Sequence, residues 1–284
     1  MPGWTHDAVL GCLLGGAIGD ALGGIGERGR SSLSDDTQLT LATCEAVCEA
    51  GGFDPAALAR AFVRWFRERR LSGLGSSTVK ALRDLEAGAH WALAGARGER
   101  AAGNGGAMRI APLAFLPTVD RAAVRDAVRV THHSDEASLG AWAVVAAIRQ
   151  AWAPTPAALL AQVAADLPDC RVRDQMQAVA ALDPSTPLAG VASVSGTSGW
   201  VVETVPLALW AGWSMAERPF GEGIDALVEI GGDTDTIASI AGQLAGARRG
   251  LAGLPASLVS LVPERETIED IGRRFCAVVC DERS

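Results

Sequence analysis

An all-α fold is predicted by three features of the chain. Its Ala-, Leu- and Val-rich segments repeat their apolar residues with the 3.6-residue period of a helix. Strands of alternating character joined by hairpin turns are not recognisable. Some of the helical segments are apolar on nearly every face, which fits burial inside a compact bundle. No internal repeat and no low-complexity linker divides the 284 residues, so one multi-helix domain spanning 1–284 is expected.

The elements follow in order. Residues 8–24 read as the first helix, with Gly11, Gly15, Gly19 and Gly23 lining one face. That four-residue spacing permits very close approach of another helix; the membrane form of the pattern is excluded by Asp20. Helices are expected next over 37–50, 55–70 and 76–94, with the run Arg67–Arg70 as a solvated face. Residues 97–106 are expected as a loop, followed by helices 121–130, 136–152 and 156–166. A second loop, 182–199, carries two prolines and a Ser/Gly-rich run; loops this long inside a domain are usually functional. Helices 201–214 and 235–249 follow, and 264–284 reads as one amphipathic helix with a polar end.

Composition excludes several functions. The net charge of −8 argues against nucleic-acid binding driven by phosphate neutralisation. Cys44/Cys48 and Cys276/Cys280 are spaced i,i+4 but show no zinc-site pattern, so buried thiols in a reducing compartment are expected. The apolar N-terminal stretch lacks a basic leader and contains Asp20, unlike a signal peptide. No segment is long and apolar enough to span a membrane. A cytoplasmic monomer is the expectation.

Two acidic clusters carry the chemistry: Ser34-Asp35-Asp36-Thr37 and Asp233-Thr234-Asp235-Thr236. Each has two carboxylates within four residues and runs into an apolar helical stretch. Adjacent carboxylates repel, and a cation between them relieves the repulsion. All-oxygen donors suit hard divalent ions such as Mg²⁺, Mn²⁺ or Ca²⁺. The competing reading is helix capping, since Ser or Asp before an apolar run satisfies the first amides and meets the helix dipole. The glycine-rich break Gly23–Gly26 presents Glu27, a candidate acid or base. Gly103-Asn104-Gly105-Gly106-Ala107-Met108-Arg109 can cradle a phosphate with unhindered amides or be an ordinary turn. His132 is either a phosphate or ribose contact or a residue of a helix cap.

Together these segments resemble the ADP-ribosylglycohydrolase family, in the family's order and over nearly the whole chain. The matching stretches are Gly11–Glu27, Ser34–Thr37, Gly103–Arg109, Thr131-His132, Gly199–Pro206 and Gly231–Ala238. The resemblance implies a compact all-α domain with two divalent cations, Mg²⁺ or Mn²⁺. It implies that Ser34, Asp35, Asp36, Asp233, Asp235 and Thr236 are metal ligands and that Glu27, Asp36 and Asp233 are catalytic. Gly103, Asn104, Gly105, Gly106, Met108, His132 and Trp200 would bind ADP-ribose, with Trp200 where relatives usually carry Tyr. The implied reaction is release of ADP-ribose from a modified protein, nucleic acid or small molecule. Three departures stand out. Ser34 replaces the usual Thr, and Ala102 precedes the glycine loop where several relatives place an aromatic residue. Gly73 stands where arginine-specific relatives carry an Asp, which points away from ADP-ribosyl-arginine. The alternatives are a non-catalytic binder or structural member, as lens crystallins of this family are, or a hydrolase of another ribosyl N-glycoside. Retention of Glu27, Asp35, Asp36, Asp233 and Asp235 opposes the non-catalytic reading, because unpaired buried charge is costly.

Overall fold

The computed structural model describes residues 4–25, 32–98 and 101–280. Among these residues fifteen α-helices follow one another: α1 His6–Gly23, α2 Asp35–Ala50, α3 Pro55–Arg67, α4 Ser76–Glu86, α5 Trp91–Ala94, α6 Arg121–Arg129, α7 Asp135–Arg149, α8 Pro156–Ala165, α9 Arg171–Ala180, α10 Leu188–Ser195, α11 Val201–Glu217, α12 Phe220–Ile230, α13 Thr234–Arg249, α14 Ala256–Ser260 and α15 Arg265–Val279. Among the described residues the only strands are β1 Ala96–Arg97 and β2 His132–His133, paired in parallel. No helix among them is long and apolar enough to cross a membrane.

The glycine face of α1 does what its spacing predicts. A Cβ at Gly11 would run into the Gly246 carbonyl oxygen, one at Gly15 into that of Gly242 and one at Gly19 into that of Ala238. The reciprocal holds from α13, where Gly242 faces Gly15 and Gly246 faces Gly11. The two helices therefore lie antiparallel with their backbones in contact. At the far end Thr234 Oγ1 donates to the Gly23 carbonyl at 2.7 Å, which brings the start of α13 beside the end of α1. On the other side of α13, a Cβ at Gly212 of α11 would sit 2.6 Å from the Ala241 oxygen. Helices α2 and α15 pack against α1, and one continuous hydrophobic cluster runs through all these elements.

Four helices, α9, α10, α12 and the short α14, arise where none is expected. In α9 the residues Val172, Met176 and Val179 are buried, and in α12 Phe220, Ile224 and Leu227; both are i, i+4, i+7 stripes. Inside the expected 182–199 loop, α10 starts after Pro187 and ends at Gly196, whose φ is +83°. Conversely, the single helix expected over 76–94 is broken at Gly88, φ +96°. Five of the six cysteines, Cys12, Cys44, Cys48, Cys276 and Cys280, come together where α1, α2 and α15 meet, and none of the six forms a disulfide.

Candidate active site

The α1–α13 contact and the packing of α2 on α1 bring the two acidic clusters to one place. Asp20 makes the junction. Fully buried near the end of α1, its carboxylate accepts Ser34 N at 2.9 Å, Ser34 Oγ at 2.8 Å, Thr37 N at 3.3 Å and Thr37 Oγ1 at 2.7 Å. These bonds fix the first turn of α2 on α1. Asp36 Oδ2 accepts Thr236 Oγ1 of α13 at 3.2 Å and lies 3.0 Å from Ser34 Oγ. Ser34 has one hydroxyl proton, so it serves Asp20 or Asp36 but not both. Asp20, Asp36 and Asp235 each place a carboxylate oxygen within 4.8 Å of the other two. Asp20 was invisible as a site residue in the sequence; a lone acid inside an apolar glycine helix was the available signal.

Capping and clustering divide between the two segments. Ser34 caps α2, accepting Asp36 N at 3.3 Å. Asp233 stands at the cap position of α13 but makes no side-chain capping bond. Its Oδ2 instead accepts Asn104 Nδ2 at 2.5 Å, and the same amide group donates to Thr204 Oγ1 at 3.0 Å. Gly232, at φ +95°, lies so close to Thr197 that any Cβ would collide with the Thr197 oxygens. That approach allows Asp233 N to donate to the Thr197 carbonyl at 2.8 Å.

A cleft of about 350 Å³ opens over this floor, lined by Asp35, Asp36, Asp233, Asp235, Thr236, Gly103, Asn104, Gly105, Met108, His132 and Gly199, together with Gly73 and Ser76–Thr78. A larger groove of about 770 Å³ between α3 and the α4–α5 segment is lined by Arg60, Arg64 and Arg67 but lies away from the acidic clusters. Volume alone does not mark the site.

Electrostatics set the cleft apart. Burial, then the charge of Asp20, pushes the Asp35 carboxyl up to about 7, with Asp235 and Asp233 adding to the shift. Asp36 is driven well above the carboxylate range by burial, followed by Asp20, Asp235, Asp35 and Asp233. Its Oδ1 is buried without a hydrogen-bond partner. An orphaned carboxylate oxygen among all-oxygen donors fits a hard divalent cation, which would stabilise every charge that burial here disfavours.

On the opposite wall a buried arginine governs His132. Arg109 Nη2 donates to Thr131 Oγ1 at 2.7 Å, and Thr131 Oγ1 lies 2.8 Å from His132 Nδ1. Arginine only donates, so the Thr131 hydroxyl accepts from it and becomes a stronger donor. Its proton has two acceptors to choose from: His132 Nδ1, or the Val128 carbonyl at 3.5 Å, which already accepts Thr131 N. The shorter bond assigns the proton of His132 to Nε2. Burial, then the Arg109 charge, lowers His132 to about 3, so the ring is neutral. Gly105 makes room for it: a Cβ there would stand 2.9 Å from His132 Cε1.

The remaining expected residues fall as follows. Gly106 lies behind the loop, where a Cβ would press on Val128 of α6 at 2.9 Å. Trp200 pairs by its backbone with Gly103, but its side chain, 36% exposed, lines an adjoining recess beside Arg171, whose guanidinium is 6.0 Å from the ring. Glu27 lies outside the described residues.

This chain matches the ADP-ribosylglycohydrolase family over residues 2–284. The chain belongs to that family. As an ADP-ribosylglycohydrolase it is an enzyme of the glycosyl-hydrolase type. It is 30% identical to the ADP-ribosylarginine hydrolase Tri1 of Pseudomonas putida, over 96% of this chain and 79% of that protein. It is 26% identical to the ADP-ribosylhydrolase ARH3 of Danio rerio, over 95% and 90% of the two chains. Among solved structures, an ADP-ribosylglycohydrolase-related protein complex superposes with a TM-score of 0.75 at 28% identity, covering 96% of this chain and 98% of that one.

Proposed function

We propose that this ADP-ribosylglycohydrolase releases ADP-ribose from a modified acceptor, using a divalent metal centre held by Ser34, Asp35, Asp36, Asp233, Asp235 and Thr236. The observation that carries the reading is the orphaned, buried Asp36 carboxylate beside Asp20 and Asp235 at the floor of the cleft. Divalent cations held by these residues would supply positive charge to position ribose hydroxyls and to activate water.

The chain's own residues then do the following. Gly103, Asn104, Gly105 and Met108 border the diphosphate and its ribose with backbone amides and small side chains, Gly106 shapes the same turn from behind, and His132 Nε2–H donates into the cleft. Asn104, held to Asp233 and Thr204, keeps that loop in register with the acidic floor. Trp200 offers a ring at the edge. Cleavage at the anomeric carbon builds positive charge, which the Asp36 and Asp233 carboxylates stabilise. Glu27 is the acid/base in this scheme on the strength of its place in the family pattern; Glu27→Gln is expected to leave ADP-ribose binding intact and remove turnover, and near-normal turnover refutes the role.

Gly73 bears on the acceptor. Its φ is +80°, and a Cβ would stand 3.3 Å from Asp35 Oδ1, so the position is shaped for glycine against the cleft. With no carboxylate there to pair a guanidinium, O-linked ADP-ribose is expected to be cleaved faster than arginine-linked. The test is release of free ADP-ribose from Arg-, Ser- and nucleic-acid-linked substrates with Mg²⁺, with Mn²⁺ and with chelator. Metal-dependent release from any linkage supports the hydrolase, and faster release from arginine refutes only the O-linked preference. No release from any of them, with metal-dependent ADP-ribose binding retained, turns the reading to a binding protein.

The His132 assignment gives a separate expectation. Thr131→Val removes the hydroxyl that fixes the tautomer and should weaken ADP-ribose binding about tenfold, the scale of one lost buried hydrogen bond. Thr131→Ser should restore it. Calorimetry reads the affinity, and ¹⁵N NMR of His132 reads the tautomer directly; a wild-type ring protonated at Nδ1 refutes the relay.

A further inference from the structure

A second group of metal-ligating side chains lies at the opposite end of α1 from Asp20. The sequence gives Cys276 and Cys280 no partner at zinc-site spacing, yet folding supplies one from the other end of the chain. A ring nitrogen of His6, Cys276 Sγ and Cys280 Sγ all lie within 4.8 Å of one another. The two thiols are in hydrogen-bonding contact. His6 opens α1 behind the capping residue Thr5; Cys276 is in the last turn of α15 and Cys280 at its C-cap. The i,i+4 spacing stacks both sulfurs on one helix face, and α15 packs that face toward α1.

We infer that His6, Cys276 and Cys280 form a second, soft metal site, suited to Zn²⁺ and distinct from the acidic cleft. Two thiolates and an imidazole are the donor set that selects zinc over Mg²⁺ or Mn²⁺. Three protein ligands leave the fourth position of a tetrahedron for water. The site is reachable, because His6 is exposed and Cys280 half-buried while Cys276 is buried. The carbonyl end of α15 favours a cation at this place. Burial, with Cys280 and Cys48 adding, pushes the Cys276 thiol up to about 12. Ligation deprotonates both thiols and releases their protons to solvent. A metal here would tie the first turn of α1 to the end of α15, and so join the two ends of the described chain.

The test is titration of the full-length, reduced protein with Co²⁺ and then displacement by Zn²⁺. The expected result is a near-ultraviolet thiolate-to-cobalt charge-transfer band that saturates at the intensity of a single cobalt site and is bleached by Zn²⁺, Co²⁺ taken up by the acidic cleft adding nothing to it. Carboxylate ligands give no such band, so the acidic cleft cannot produce it, and Asp36→Asn should leave it unchanged. Cys280→Ser and His6→Ala, at half-buried and exposed positions, should each weaken the metal at least tenfold; loss of an outer-shell partner alone costs about 10–100-fold. Absence of the band, a band unaffected by either substitution, or one lost in Asp36→Asn overturns the proposal.

Discussion

Replacing Asp36 with asparagine is expected to remove turnover while raising the melting temperature of the metal-free protein. The two effects have one cause. Asp36 is 2% exposed, with one carboxylate oxygen lacking any partner. Burial is the largest force against its ionised form, and the charges of Asp20, Asp235, Asp35 and Asp233 add to it. Asparagine has the same shape without the charge. Its carbonyl can keep the Thr236 hydroxyl bond, and its amide turns toward carboxylates instead of repelling them. Relief of about 1 kcal/mol corresponds to a rise of roughly 2–4 °C for a chain of this class. Activity should fall by at least about 10²-fold, since even outer-shell changes at metal sites cost about 10–100-fold.

The pH dependence carries the sign of the same argument. Asp35 at about 7 and Asp36 above the carboxylate range keep their protons longer in the folded than in the unfolded chain. Their contribution to stability is therefore full below about pH 4, the unfolded value, and lost as pH rises toward 7 and beyond. His132, lowered to about 3, works in the opposite sense, its contribution being lost as pH falls below about 6.5. Because wild type and Asp36→Asn share His132, the difference between their chelated melting curves isolates the carboxylates. That difference should widen from pH 5 to pH 8, and added Mn²⁺ should stabilise only the wild type appreciably. Equal stabilisation of both proteins by Mn²⁺, or turnover within tenfold of wild type, would refute the assignment of Asp36.

Much of this site is legible in the sequence because its parts are local. Four glycines at four-residue spacing announce a close helix contact whatever the partner, and paired acids before an apolar run announce either a cap or a cation site. The structure shows that Ser34 caps while Asp233 does not, a distinction that depends on where Asn104 and Thr204 lie, far away in sequence. Asp20 is hidden for the same reason: Ser34 and Thr37, which donate to it from the first turn of α2, lie beside it in space but not in sequence, and without them it is one acid in an apolar helix. His6 is hidden from Cys276 and Cys280 by nearly the full length of the chain. The missed helices α9 and α12 are a different case. Their apolar stripes Val172-Met176-Val179 and Phe220-Ile224-Leu227 are present in the sequence but short and bounded by Pro, Gly or charged residues, so local polarity masks a period that burial makes decisive.

Gly15→Ala is expected to cost about 3 kcal/mol, the upper part of the usual range for overpacking, which is a loss of roughly 6–12 °C in melting temperature. The added methyl would meet the Gly242 carbonyl oxygen, and Gly246 Cα stands at 3.2 Å. Both are backbone, so no rotamer change can make room, and α1 and α13 must separate. Those helices carry Asp20 on one side and Asp235 and Thr236 on the other, so the separation should appear as weaker Mn²⁺ binding in whatever protein remains folded. The neighbouring substitution Gly16→Ala discriminates between a general packing defect and this specific geometry. Its methyl would meet Gln243 Cγ at 2.6 Å, a side chain able to move, whose Nε2 donates to the Met108 carbonyl at 2.7 Å. Gly16→Ala should therefore cost less stability, spare Mn²⁺ affinity and weaken ADP-ribose binding through the Gly103–Met108 loop. Gly221→Ala, with only Leu258 Cδ1 at 3.6 Å from the new methyl, should be neutral or stabilising by up to about 1 kcal/mol. If Gly15→Ala and Gly16→Ala instead lose stability and Mn²⁺ affinity alike, the glycine contact is a packing feature alone, and the metal site is not set by the spacing of α1 and α13.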